Sequence, residues 1–197
     1  PAYNRNEWPT IMRYCSHISF NSISQWERFK DHLSPLVSPG IRINPEHSEV
    51  KTKLYDPCSR NCRLGVLDHE LKDLDFEQIQ GIHFHTLCQS QFPELERTIN
   101  CIEKKFKPYL EKVKWLNIGG GHHLTDPNYD RESLYKLINR LKKTYNLDII
   151  LEPGEAQTRM NGGSTIHPKV IIPSINYIIE QQHQKHTIFL DRDLNLL

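Results

Sequence analysis

Trp115-Leu116-Asn117-Ile118-Gly119-Gly120-Gly121-His122-His123, followed about thirty residues later by Leu151-Glu152-Pro153-Gly154-Glu155-Ala156, decides how this chain folds. The first stretch is a short apolar strand that opens into three consecutive glycines. With no Cβ in the way and no penalty for φ > 0, such a turn brings backbone N–H groups close to an anion. The second is another apolar strand, Leu147 to Leu151, ending in a carboxylate and a Pro-Gly turn. In a parallel α/β fold both strand ends lie on one rim, where ligands bind. A phosphate cradle and a carboxylate on one rim point to a phosphorylated cofactor with a basic ring nitrogen.

Working outward, strand-like runs at His17–Asn21, Gly40–Asn44, Gly81–Thr86, Lys114–Ile118 and Leu147–Leu151 alternate with helical patterns. Leu95, Ile99, Ile102, Phe106 and Leu110 fall at three- and four-residue steps, as do Leu134, Leu137, Ile138 and Leu141. Asp130 is placed to cap the second of these helices, with Glu132 in its first turn. A weaker helix covers Ser24–His32, with Asn21 to Ser24 as its turn and cap. Short strands alternating with such helices predict βα units on a parallel sheet. The stretch Pro45–Asp68 lacks periodicity and reads as a long rim loop.

The bulk numbers narrow the class. The 197 residues suffice for one domain with a core. Lys and Arg (25) nearly cancel Asp and Glu (24) with no basic block, so neither nucleic acid nor an anionic membrane is indicated as a partner. No run approaches a transmembrane length, and Pro1-Ala2-Tyr3-Asn4-Arg5 is no signal peptide. Five cysteines fit reduced thiols in a cytoplasm better than a disulfide framework. The mean hydropathy of −0.62 is polar for a barrel buried on both faces.

Each candidate residue has an ordinary reading beside the functional one. A glycine run alone is a tight turn, an acid at Glu152 a solvated rim group, and Arg42 a surface ion-pair partner. His83 and His85, two apart on a strand, share a face. They are either a satisfied barrel pair or the start of a metal site with Cys88, His122 and His123, although that set lacks regular zinc spacing. Cys58 and Cys62 have no second pair and read as loop cysteines.

Gly81-Ile82-His83-Phe84-His85-Thr86-Leu87-Cys88 and the two stretches quoted first resemble carboxynorspermidine decarboxylase. That family comprises pyridoxal 5'-phosphate enzymes of polyamine synthesis with an alanine-racemase type of barrel. Phe20 to Gln25, Gly40 to Glu46 and Tyr55-Asp56-Pro57-Cys58 fit the same family in the same order, so the likeness covers about residues 1 to 156. The resemblance implies that Gly119, Gly120 and Gly121 bind the cofactor phosphate and that Glu152 faces its pyridine nitrogen. It also implies that His85 stacks on the ring and that Arg42 approaches the phenolic oxygen. Residue Glu155 stands where some relatives carry arginine, and Cys62 where they usually carry serine.

The resemblance further implies a domain layout. Residues 1–156 would be part of a (β/α)8 barrel, about strands four to eight. Residues 157–197 would be a divergent tail in place of the family's β-domain. The Schiff-base lysine belongs to an early strand of the family, and Lys53, Lys114 and Lys169 lack that context, so the chain alone is expected to be inactive. The intact enzyme would be a homodimer acting on carboxynorspermidine or carboxyspermidine. Two other classes stay open at this point: a non-catalytic relative that binds phosphate ligands or a partner subunit, and a histidine-ligated metal hydrolase.

Overall fold

A computed structural model describes residues 3–59 and 61–152. The domain boundary at 156, the role of Glu155 and the divergent tail expected over 157–197 lie outside the described residues. Five short strands, β1 (His17–Phe20), β2 (Ser38–Arg42), β3 (Gly81–His83), β4 (Trp115–Asn117) and β5 (Asp148–Ile150), form one parallel sheet in chain order. The fold is α/β, as the alternating pattern predicts.

Alternation along each strand divides the sheet into two unlike faces. Ile41, Ile82, Leu116 and Ile149 pair in one register row and are buried. The next row, Arg42, His83, Asn117 and Ile150, puts polar groups on the opposite face. Ser19, His83 and Asn117 are buried polar residues. The polar composition thus has a structural reason: one face of the sheet is apolar under the helices, and the other is mostly polar. A barrel apolar on both faces is not what forms.

Of the helices, α1 (Trp8–Tyr14) precedes β1, α2 (Ile23–Phe29) follows it, and α3 (Phe92–Leu110) and α4 (Arg131–Tyr145) lead into β4 and β5. The periodic residues of α3 and α4 are buried. Glu103 of α3 receives both terminal nitrogens of Arg140, at 2.7 and 2.8 Å, and the Tyr145 hydroxyl at 3.0 Å, tying α4 to α3. Helix α1 was not foreseen, because Trp-Pro-Thr-Ile-Met-Arg-Tyr is too short to show a period. Tertiary contact holds it instead: Trp8 stacks on Phe29 at 4.3 Å, and its indole N–H donates to the His32 carbonyl.

Local signals account for the helix starts. Ser22 accepts from the Gln25 N–H at 3.2 Å, and α2 runs from Ile23 to Phe29 before tightening into a 3-10 turn at 30–32. Asp130 accepts from the Ser133 N–H at 2.9 Å, satisfying one of the orphan donors of α4. Substituting Asp130→Ala removes that cap and is expected to lower the thermal midpoint by about 3 °C, read by circular dichroism. Asp130→Asn should restore most of the loss. The loop expected over 45–68 is present, with one short 3-10 turn at Lys53–Tyr55 and a bridge from Val66 to Ile43.

Candidate active site

Four strand ends meet on one rim, and the expected residues converge there. Beyond β4 and β5 the two chains stay paired: Ile118 N–H donates to the Ile150 carbonyl and Glu152 N–H to the Gly119 carbonyl, both at 2.9 Å. The carboxylate of Glu152 therefore stands beside the glycine run. From β2, Arg42 donates to the His85 carbonyl at 3.3 Å. From β3 and its extension, His83 Nε2 lies 3.8 Å and His85 Nδ1 3.6 Å from the Glu152 oxygens. Arg42, His85, Gly119, Gly120 and Glu152 thus form one constellation.

The glycines are required by close backbone approach. A Cβ on Gly120 would stand 2.5 Å from the Glu152 carbonyl oxygen, and Gly119 has φ +68°. Two of the three glycine amides already have partners in this structure. Gly119 N–H donates to Asn117 Oδ1 at 2.9 Å, and Gly120 N–H is directed at His85 Nδ1 at 3.4 Å. Short buried bonds are hard to exchange, whereas a contact at 3.4 Å is weak. Gly120, rather than Gly119, can turn its amide to an anion. Helix α4 starts at Arg131, so no helix end points at the run.

Burial would push the Glu152 carboxyl up, but the nearby His85 ring and the Asn117 amide outweigh it, and the group sits below its usual 4.5. Asn117 Nδ2 donates to Glu152 Oε1 at 2.8 Å. His83 is pushed down to about 3, chiefly by burial, and stays neutral near neutrality. Ser19 Oγ lies 3.1 Å from His83 Nδ1. The His85 side chain is 40% exposed and sits between two long contacts, to Gly120 and to Glu152. Neither contact is short enough to hold the ring firmly.

His83, His85 and Glu152 each bring one donor atom within 4.8 Å of the others. Cys88, His122 and His123 are not in that group. His122 is instead buried, with Nε2 3.3 Å from the Ile118 carbonyl. Sequence reasoning gave no role to Asn117 or Ser19. Their signal was parity: each is a polar residue two positions along its strand from another residue of the polar face.

Comparison with known proteins finds similar sequences and a similar fold. Over 181 residues the chain is 38% identical to the carboxyaminopropylagmatine decarboxylase of Synechocystis sp., covering 90% of this chain and 47% of that protein. Over 184 residues it is 35% identical to the carboxynorspermidine/carboxyspermidine decarboxylase of Campylobacter jejuni, covering 93% and 46%. The crystal structure of carboxynorspermidine decarboxylase from Campylobacter jejuni, complexed with norspermidine, superposes with a TM-score of 0.72 at 35% identity, over 79% of this chain and 40% of that one. The chain is a relative of the carboxynorspermidine decarboxylases. It spans about half the length of the curated relatives it matches. The decarboxylase fold reaches further, to an SrLDC mutant solved with PLP at a TM-score of 0.56 and 20% identity, over 79% of this chain and 43% of that one. The sheet described above is accordingly part of an alanine-racemase-type barrel. No family model matches the chain.

Proposed function

We propose that this chain carries the cofactor-binding rim of a pyridoxal 5'-phosphate decarboxylase acting on a carboxylated polyamine. Carboxynorspermidine and carboxyspermidine are the substrates favoured by the motifs. Carboxyaminopropylagmatine, named for one relative, shares their aminopropyl carboxylate chemistry. The observation that carries this reading is the placing of Glu152 against the glycine run, on the rim where Arg42 and His85 also end.

The residues fit the cofactor. Gly120 leaves room that a Cβ would fill, and Glu152 is an anion held ready for a protonated ring nitrogen. Gly120 and Gly121 would hold the phosphate, His85 would lie against the ring, and Arg42 would approach its phenolic oxygen. When bound, pyridoxal phosphate supplies an electron-withdrawing ring that accepts the electron pair left by departing CO2. Glu152 keeps the proton on the ring nitrogen, where an opposite charge shifts a pKa by roughly one to three units. The intact enzyme would be a homodimer.

Among the described residues no lysine lies on a strand. The 197-residue chain is therefore expected to bind the cofactor skeleton but release no CO2 from carboxynorspermidine. Pyridoxine 5'-phosphate, which has no aldehyde and needs no lysine, is the probe. Calorimetry should show binding, weakened about tenfold by Glu152→Gln. No binding by the unsubstituted chain would end this reading. A metal-dependent hydrolase has one observation in its favour, the convergence of His83, His85 and Glu152. Stoichiometric zinc surviving dialysis would favour it.

A further inference from the structure

The glycine run and the acid are joined by a residue that neither the motifs nor the family names assign. Asn117 is fully buried at the end of β4. Its Oδ1 accepts the Gly119 N–H at 2.9 Å and its Nδ2 donates to Glu152 Oε1 at 2.8 Å. Glu152 N–H in turn donates to the Gly119 carbonyl at 2.9 Å. Three hydrogen bonds thus close a circuit through Asn117, Gly119 and Glu152. Reversing the amide would set its NH2 against an N–H and its oxygen against a carboxylate, so only one orientation satisfies both partners.

We propose that Asn117 is a positioning residue that locks the anion-binding turn to the ring-facing carboxylate, fixing the separation and angle at which the site reads a phosphorylated, nitrogen-containing ring. This inference rests on the cofactor reading given above and adds to it the residue that sets ring discrimination. The circuit holds Gly119 in its left-handed conformation from one side and aims Glu152 from the other. The remaining neighbours of the carboxylate, His83 from β3, His85 just beyond it and Arg42 from β2, contact it only at longer range or through space. The charge-assisted bond from Asn117, at 2.8 Å, is shorter than the 3.6 and 3.8 Å contacts that His85 and His83 make with that side chain.

The test compares pyridoxine 5'-phosphate with benzyl phosphate, which offers a phosphate and a ring but no ring nitrogen. The unsubstituted full chain should prefer pyridoxine 5'-phosphate. Asn117→Leu should weaken both ligands and lower the preference ratio about tenfold. Glu152→Gln should lower the ratio alone, and the double variant should lower it no further than Glu152→Gln does. A merely structural role would weaken both ligands equally and leave the ratio where it was, overturning the proposal. If Asn117→Leu does not fold, the side-chain amide signal of Asn117 in the unsubstituted protein decides. It should shift further on adding pyridoxine 5'-phosphate than on adding benzyl phosphate; an equal response, or none, overturns the proposal. Should the unsubstituted chain bind neither ligand, the cofactor reading falls and this inference falls with it. Binding with an unchanged ratio sinks the inference alone.

Discussion

Gly81→Val is expected to destabilise the chain severely. The strand register aligns Gly40, Gly81 and Trp115 in one row on the polar face. The Trp115 indole lies flat across both glycines, and a Cβ built on Gly81 would fall inside its ring atoms. The ring has no room to yield. It is 2% exposed, its N–H donates to Ser38 Oγ at 2.8 Å, and His17 meets it edge-on at 5.4 Å. Overpacking a core commonly costs about 1–3 kcal/mol. Two methyl groups driven into an indole should reach or exceed the top of that range, against a total stability of about 5–15 kcal/mol. Urea unfolding followed by far-UV circular dichroism reads the loss. Combining Gly81→Ala with Trp115→Phe, which withdraws the larger ring, should recover part of it. A Gly81→Val protein melting within a few degrees of the unsubstituted one would show that the indole does not lie across the sheet.

That packing also marks where the sequence stops being legible. Strands and major helices could be read because their apolar residues repeat with a period that burial on one face imposes. The capping of α4 by Asp130 was readable for the same local reason. The convergence of Gly119, Gly120 and Glu152 could be anticipated because parallel strands end together. The row Gly40–Gly81–Trp115 was not readable as a row, since each glycine's reason for being small is a side chain far away in sequence. Asn117 stayed hidden for a related reason: its bond to Gly119 is a local turn, but its partner Glu152 is set by the pairing of β4 with β5, which composition does not encode. Helix α1 depends on Trp8 finding Phe29 and was invisible to any period. The amides of the glycine run illustrate the limit from the other side. Sequence places them at the rim, but only coordinates show that Gly119 is already committed to Asn117.

Mild acid should cost this chain more than it costs most domains. Two histidines are buried and uncharged. His122 is pushed down to about 4 and His83 to about 3, in both cases mainly by burial, which penalises the charged ring. The Coulomb pull of Glu152 on His83 opposes this, while Arg42 and His85 add to it. Unfolded, each ring takes up a proton near its usual 6.5; folded, each does so only well below 5. Between those values the unfolded state binds more protons, so stability falls as pH falls through the window and is regained as pH rises. At pH 5 each ring should cost about 2 kcal/mol relative to pH 7, together about 4 kcal/mol, from 1.36 kcal/mol per pKa unit. His122 gives the cleaner test, because its Nε2 lies 3.3 Å from the Ile118 carbonyl and no carboxylate lies within ion-pair distance of it among the described residues. His122→Gln keeps a donor for that carbonyl and cannot titrate. Urea unfolding at pH 7 and pH 5 should show the variant losing about 2 kcal/mol less than the unsubstituted chain across that interval. Carboxylates whose pairs break in acid contribute equally to both proteins and cancel in the difference. Equal losses would mean that His122 is not held neutral in the folded state, and that its surroundings are wetter than its burial implies.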